Sequence, residues 1–149
     1  MINMNDTMKA IIEKEEEYNV QLDNVINKIV DNIKIIKECI IYDEDGTLEE
    51  EKINFDRILK FVGDWTGYEV SCNEFRFEKE IIKPNQFLIF ANKLSNKISQ
   101  KYNEKKNVIY IILNDDVELR FHTYRENEKL WLDENLNQYD IPILCLTNI

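Results

Sequence analysis

Apolar residues in the first quarter of the chain recur at spacings of three and four, which places them on one face of a helix. Asp6 and Thr7 offer an N-cap, and no glycine or proline interrupts the run before Gly46. The pattern predicts a long N-terminal helix over residues 6–37, unbroken or as two helices in tandem. The acidic run at residues 13–17 is interpreted as a solvated face of that helix. The apolar positions are Met8, Ile11, Ile12, Tyr18, Leu22, Val25, Ile26, Ile29, Ile33 and Ile36.

A second helical pattern follows the polar break at residues 43–47 and predicts a helix of about three turns. Beyond Gly67, apolar and polar residues alternate as far as residue 77. This alternation predicts two short strands around a tight turn, or one bulged strand. The apolar residues of the helix are Phe55, Ile58, Leu59, Val62 and Trp65, and those of the strands are Tyr68, Val70, Cys72, Phe75 and Phe77.

The second half of the chain carries sharper signals. Pro84 opens an amphipathic helix that ends in the polar stretch at residues 103–107. The β-branched run at residues 108–113 predicts a central strand covered on both faces. Residues 117–123 alternate as the return strand of a hairpin, with Phe121 toward the core and His122 toward the other face. A last strand begins at Pro142.

The order of these elements has no alternating strand and helix rhythm, and it predicts an α+β fold. We expect one domain over residues 1–149, because 149 residues is the usual length of a single domain. Residues 1–66 are expected to be mainly helical, and residues 68–149 to hold the sheet with one helix. The expected architecture is an antiparallel sheet of about four to five strands with helices packed on one face.

Charge narrows the range of partners. The chain has 29 acidic and 19 basic side chains, a formal net charge of -10. Such a field repels phosphate backbones and anionic lipid surfaces, so neither nucleic acid nor membrane is expected to bind directly. The three widely spaced cysteines are interpreted as free thiols in a reducing compartment. With no apolar leader at the N-terminus and no apolar run near the ~20 residues that span a bilayer, the expected location is the cytoplasm.

Residues for catalysis are scarce. The single histidine, His122, cannot form a metal triad, and three glycines are too few for a phosphate-binding loop. The segment at residues 41–52 resembles a calcium loop only in its middle. Its first position is Ile41 where an aspartate is needed, and its twelfth is Lys52 in place of a glutamate. We therefore predict no catalytic residue, no metal and no cofactor.

Binding residues are predicted in two regions. The C-terminal block at residues 117–145 has two interpretations: its apolar residues hold the last strand against the sheet, and its arginine and aromatic residues form a binding surface. Acidic patches at residues 43–51 and 133–140 are candidate contacts for a basic partner. The predicted partner-binding residues are Asp43, Glu44, Asp45, Glu49, Glu50, Arg120, His122, Tyr124, Trp131, Asp133 and Glu134.

The C-terminal quarter resembles the ends of small acidic bacterial immunity proteins of the polymorphic-toxin and contact-dependent growth inhibition type. The similar segments are Arg-Phe-His-Thr-Tyr-Arg at residues 120–125, Trp-Leu-Asp-Glu at residues 131–134 and Pro-Ile-Leu at residues 142–144. The resemblance implies a cytoplasmic inhibitor that binds one cognate toxin domain and performs no reaction.

Two other classes of function remain open at this point. Near-heptad spacing in the N-terminal stretch is compatible with a homo-oligomeric or scaffold protein, for example a homodimer that pairs through the long helix. A small enzyme is the least favoured class, since the residues that would carry its chemistry are missing.

Overall fold

The computed structural model describes residues 1–12 and 19–149, in which seven strands and five helices form the fold. Short 3-10 turns lie at Glu50–Lys52, Pro84–Gln86 and Leu136–Gln138. The strands are β1 (Ile2–Met4), β2 (Ile33–Ile36), β3 (Cys39–Tyr42), β4 (Glu74–Phe77), β5 (Asn107–Leu113), β6 (Val117–Thr123) and β7 (Ile143–Asn148). The helices are α1 (Asp6–Ile11), α2 (Val20–Asp31), α3 (Phe55–Val62), α4 (Trp65–Cys72) and α5 (Phe87–Lys101).

Five of the strands form one sheet in the order β1-β7-β5-β6-β4, and every neighbouring pair is antiparallel. The fold is α+β. The β5-β6 hairpin is confirmed, with Asn107 opposite Thr123 at one end and Leu113 opposite Val117 at the other. The β-branched run of β5 occupies the centre of the sheet because it buries side chains on both faces.

One face of the sheet packs against α1, α2 and α5, where the main core lies. Helix α5 presents Phe87, Ala91, Leu94 and Ile98 at spacings of three and four, and all four are fully buried. They meet sheet residues of the same core, among them Phe121 of β6. Burial of a large apolar side chain contributes about 1.5–3 kcal/mol, so this interface supplies much of the stability.

The other face of the sheet is covered by residues 124–141, which we call the strap. The strap has no regular structure apart from one 3-10 turn, and it packs Leu136 into a second, smaller core with Tyr110 and Cys145 of the sheet. Its half-buried aromatic and aliphatic residues line the same core. Both faces of β5 are therefore covered, one by helices and the other by the strap.

The separate β2-β3 hairpin packs with α3 and α4 in a third core. Glu69 of α4, which is fully buried, connects this unit to the sheet. Its carboxylate accepts hydrogen bonds from the backbone amides of Ile40 in β3 and Thr123 in β6, each at 2.5 Å. It also forms an ion pair with Arg125 at 3.0 Å.

Asn73, directly after α4, makes a second connection one turn further along. Its amide group donates to the carbonyls of Ile40 at 2.7 Å and Phe121 at 3.2 Å, and its oxygen accepts from the amide of Tyr42 at 2.9 Å. The side chains of Glu69 and Asn73 thus satisfy backbone groups that a neighbouring strand would otherwise pair.

The prediction of a long N-terminal helix is wrong. Ile12 after α1 and Asn19 before α2 are both extended, and Asn19 caps α2 by accepting from the amide of Leu22. Residues 33–36 form β2, so Ile33 and Ile36 belong to a strand. Tyr18 and the acidic run at residues 13–17 lie outside the described residues. Because Leu22, Ile26 and Ile29 are buried in the chain's own core, this face of α2 is not available to pair with another helix.

The prediction of strands between residues 68 and 72 is also wrong. These residues belong to α4, which begins after Asp64 accepts from the amide of Gly67 at 2.7 Å. Only β4 (Glu74–Phe77) is a strand in this region. Trp65, expected on the preceding helix, starts α4, since Gly63 ends α3 at a φ of 98°.

The helices of residues 1–12 and 19–149 include none with both the length and the apolarity needed to cross a membrane.

Candidate functional site

Four of the predicted binding residues meet at one place, a groove between the strap and the sheet. Tyr124, Trp131, Asp133 and Glu134 all line this groove, which has a volume of about 760 Å³. Lys129 lines it as well. Its volume falls in the range of ligand and side-chain pockets in proteins. We call it the strap groove.

Asn5 fixes the far end of the strap to the N-terminal segment. This residue is 1% exposed, and its amide group donates to the carbonyls of Leu136 at 3.2 Å and Ile141 at 2.7 Å. Its oxygen accepts from the amides of Ile143 at 3.0 Å and Met8 at 3.1 Å, so the same side chain also caps α1. The far end of the strap is therefore held by specific hydrogen bonds.

Glu128 fixes the near end of the strap to α4. Its carboxylate accepts from the backbone amides of Trp65 at 3.2 Å and Thr66 at 2.8 Å, at the start of the helix where such donors are free. The Thr66 hydroxyl adds a third bond at 2.8 Å. The wall of the groove is thus held at both ends.

His122, one of the predicted partner-binding residues, lies beneath the strap and is 1% exposed. Its Nδ1 donates to the carbonyl of Thr123 at 2.7 Å, which leaves Nε2 to accept from the Tyr110 hydroxyl at 3.1 Å. The same hydroxyl accepts from the backbone amide of Trp131 at 3.2 Å. His122 therefore cannot touch a partner directly, and it positions Trp131 through Tyr110.

Acidification is expected to weaken the fold through His122. Burial lowers the pKa of His122 from its ordinary 6.5 to about 4. The unfolded chain then binds more protons between these values, so stability falls as the pH falls. We expect a loss of about 2 kcal/mol between pH 7.5 and pH 5 that His122→Phe does not show. Urea unfolding of both proteins across this range measures it, and equal slopes would contradict the assignment.

Arg120 is held by other charges. Its guanidinium bonds the carboxylates of Glu118 at 2.7 Å and Glu74 at 3.2 Å, and it lies 5.1 Å from the centre of the Trp131 ring. A cation at this distance stabilises an aromatic ring by electrostatic attraction. Arg120 supports Trp131 from below the strap and does not itself line the groove.

The acidic residues at positions 43–50 lie with the β2-β3 hairpin, apart from the groove. The hydrogen bond from Lys34 holds the pKa of Asp43 below its ordinary value, and Asp43 also accepts from the amide of Leu48 at 3.0 Å. Glu44 pairs with Lys28, Glu49 pairs with Lys52, and Glu50 accepts from the amide of Lys37. Asp45 is exposed. Most of these carboxylates therefore bind groups of the chain itself and stabilise this segment.

The thiols of the protein keep their protons. All three cysteines are free, and burial raises the pKa of Cys39 to about 12 and of Cys145 to about 11. Cys145 lines the strap groove, but a thiol with that pKa is a weak nucleophile at neutral pH. Within residues 1–12 and 19–149, no three histidine, cysteine or acidic side chains are grouped so as to hold a metal ion.

The groove also contains residues that the sequence pattern did not single out as binding residues. Tyr110 and Cys145 come from its floor, and Glu128 and Leu132 from its wall. The alternation of the strands predicts which residues share the floor's face, but that face becomes a groove floor only because the strap covers it. Glu128 gives no sequence signal, because one acid in an acidic chain carries little information.

The chain belongs to the uncharacterized protein PM0498 family, whose model matches residues 3–148. No curated protein and no solved structure matches the chain.

Proposed function

We propose that this member of the PM0498 family is a non-catalytic protein-binding protein, and that it acts as an immunity protein that binds and neutralises one cognate toxin domain in the cytoplasm. The observation that carries the proposal is the strap groove, where Tyr124 and Trp131 lie beside Asp133 and Glu134. Aromatic side chains at the centre of a contact supply much of its binding energy, and nearby charges set the choice of partner.

The charge of the chain supports a basic partner. A net charge of -10 attracts positively charged proteins over long distances and raises the rate of encounter. Nuclease domains need basic active sites for their phosphate substrates, so an acidic inhibitor can be steered onto such a site and cover it. At the groove itself, Asp133 and Glu134 are exposed, so they can meet basic side chains of the partner.

The rigidity of the groove supports a binding role. Trp131 is held from below by Arg120 and through its backbone amide by Tyr110, and both contacts exist without a partner. A surface that is already ordered loses less conformational entropy when it binds, which favours affinity. The acidic residues at positions 43–50 are less available to a partner, since most of them already bond within the chain.

The absence of a reaction is part of the same proposal. The chain's histidine is buried and uncharged near neutral pH, and the thiol in the groove stays protonated. Neither group is suited to general base or nucleophilic catalysis in this state.

Co-expression with the product of the neighbouring gene tests the proposal. If that gene encodes a toxin domain, we expect this chain to restore growth and to co-purify with the toxin in a 1:1 complex. A catalytically dead toxin variant serves as the control for growth, because it leaves complex formation measurable by itself. A neighbour without a toxin domain, together with no complex, would contradict the proposal.

A further inference from the structure

Helix α3 carries an apolar surface that nothing in the described part of the chain covers. Phe61 is 90% exposed, more than any other large apolar side chain among the described residues. Together with Ile58 and Val62 it lines a shallow depression, which Arg57 and Lys60 border. We call this surface the α3 patch. A solvent-exposed phenylalanine within an apolar depression is typical of an interaction surface.

We propose that the α3 patch binds the strap groove of a second copy of this chain. The two surfaces are complementary in both charge and chemistry. The patch offers an aromatic ring with the cations Arg57 and Lys60, and the groove offers Trp131 with the anions Asp133 and Glu134. Aromatic pairs and opposite charges each favour such a contact.

The position of the two surfaces favours a symmetric pair. Glu128 lines the groove and accepts from the amides of Trp65 and Thr66, which follow α3 after only two residues. The C-terminal end of α3 therefore lies next to the groove on the same molecule. With the surfaces adjacent, a two-fold axis brings each copy's patch onto the other copy's groove and makes both contacts at once.

The cations of the patch identify the occupant as a second copy and not the basic partner proposed above. Arg57 and Lys60 would repel a positively charged domain, whereas they attract the acidic groove. The two copies share a net charge of -10 each, which opposes their approach at long range. At about 0.15 M salt this repulsion is screened beyond about 8 Å, while contacts at the interface persist.

Sedimentation equilibrium at about 0.15 M salt tests the dimer. We expect a monomer–dimer equilibrium that is measurable at about 100 µM chain. Phe61→Ala should weaken dimerisation about tenfold or more, because it removes the apolar anchor. Val20→Ala is the matched control, since Val20 is also an exposed apolar residue on a helix, at 68% exposure. A wild-type monomer at that concentration, or a dimer unchanged by Phe61→Ala, would overturn the proposal.

A charge swap identifies the two sides of the contact. Lys60→Glu and Glu134→Lys should each dissociate the dimer, because each places like charges opposite one another. An equimolar mixture of the two variants should form a heterodimer, in which both pairs of charges are again opposite in sign. Circular dichroism of each variant checks that it is folded. If the mixture stays monomeric while both variants are folded, the assignment of the two surfaces is wrong.

The proposed dimer and the proposed toxin complex can be tested independently, although this inference rests on the same strap groove. Phe61→Ala changes the patch alone, so we expect it to weaken the dimer and leave neutralisation of the toxin intact. Loss of neutralisation with an intact dimer would assign the patch to the toxin and overturn this inference. Because the same groove serves both partners, the toxin should also displace the second copy.

Discussion

Glu69→Ala is expected to lower the free energy of unfolding by about 3–5 kcal/mol, measured by urea denaturation at neutral pH. One carboxylate oxygen of Glu69 accepts from the Ile40 amide and the Thr123 hydroxyl. The other accepts from the Thr123 amide and the Arg125 guanidinium. Burial raises the pKa of Glu69, while the Arg125 guanidinium and the hydrogen bonds from Thr123 and Ile40 favour the carboxylate form. Its removal leaves the half-buried Arg125 with only the more distant carboxylate of Glu128, at 4.0 Å, and frees two backbone amides.

Three further variants test the cause of this loss. Arg125→Ala should also destabilise, and the double variant should lose less than the sum of the two, because the second change removes an already broken pair. Glu74→Ala is the matched control. Glu74 bonds Arg76 and Arg120 but is partly exposed, so its loss should cost about 1 kcal/mol or less. Equal effects at Glu69 and Glu74 would contradict the role of Glu69 as the connection between hairpin and sheet.

Reversing the two carboxylates of the groove, with Asp133→Lys and Glu134→Lys together, is expected to weaken the toxin complex about a hundredfold. Both side chains are exposed, so the folded chain should tolerate the change. The loss has two parts: slower encounter with a basic partner, and like charges opposed in the bound state. Calorimetric titration and stopped-flow association with the purified partner measure the two parts.

The matched control for this variant is Asp45→Lys with Glu51→Lys. It changes the net charge of the chain by the same amount, on exposed residues near the β2-β3 hairpin and away from the groove. If net charge alone governs binding, both double variants should weaken the complex equally. A specific contact at the groove predicts a much smaller effect for the control, and a larger effect in the control would move the contact to the acidic patch at residues 43–51.

The elements that the sequence predicted correctly are those whose pattern has one explanation. Helix α5 starts at a proline turn and buries a stripe at helical spacing, so its local and tertiary preferences agree. The β5-β6 hairpin combines a β-branched run with an alternating strand across an Asn-Asp-Asp turn. Both lie in the second half of the chain, where helix and strands can each be recognised from the spacing of apolar residues.

The N-terminal half could not be predicted in the same way. The β2-β3 hairpin turns at Lys37 and Glu38, which have φ values of 51° and 66°, where glycine or asparagine is the usual signal. Without that signal, Ile29, Ile33 and Ile36 continue a helical spacing. Helix α4 was not predicted for a different reason. It is buried on several sides, so it shows no single apolar stripe. Its buried residues are Thr66, Tyr68, Glu69 and Val70.

The candidate site was predicted in part. Tyr124, Trp131, Asp133 and Glu134 are close in sequence, and the strap keeps them close in space. His122 was placed on the correct face of its strand, but whether that face is open depends on the strap, which has almost no regular structure to predict. Residues 43–51 do not line the groove, and composition cannot reveal this long-range arrangement.

Amide hydrogen exchange of the chain with and without the product of the neighbouring gene tests whether the strap groove is the binding site. We expect slower exchange at residues 128–134 and at Tyr124 in the complex, and little change at residues 43–51. Protection of residues 43–51 with unchanged exchange along the strap would contradict the strap groove as the binding site.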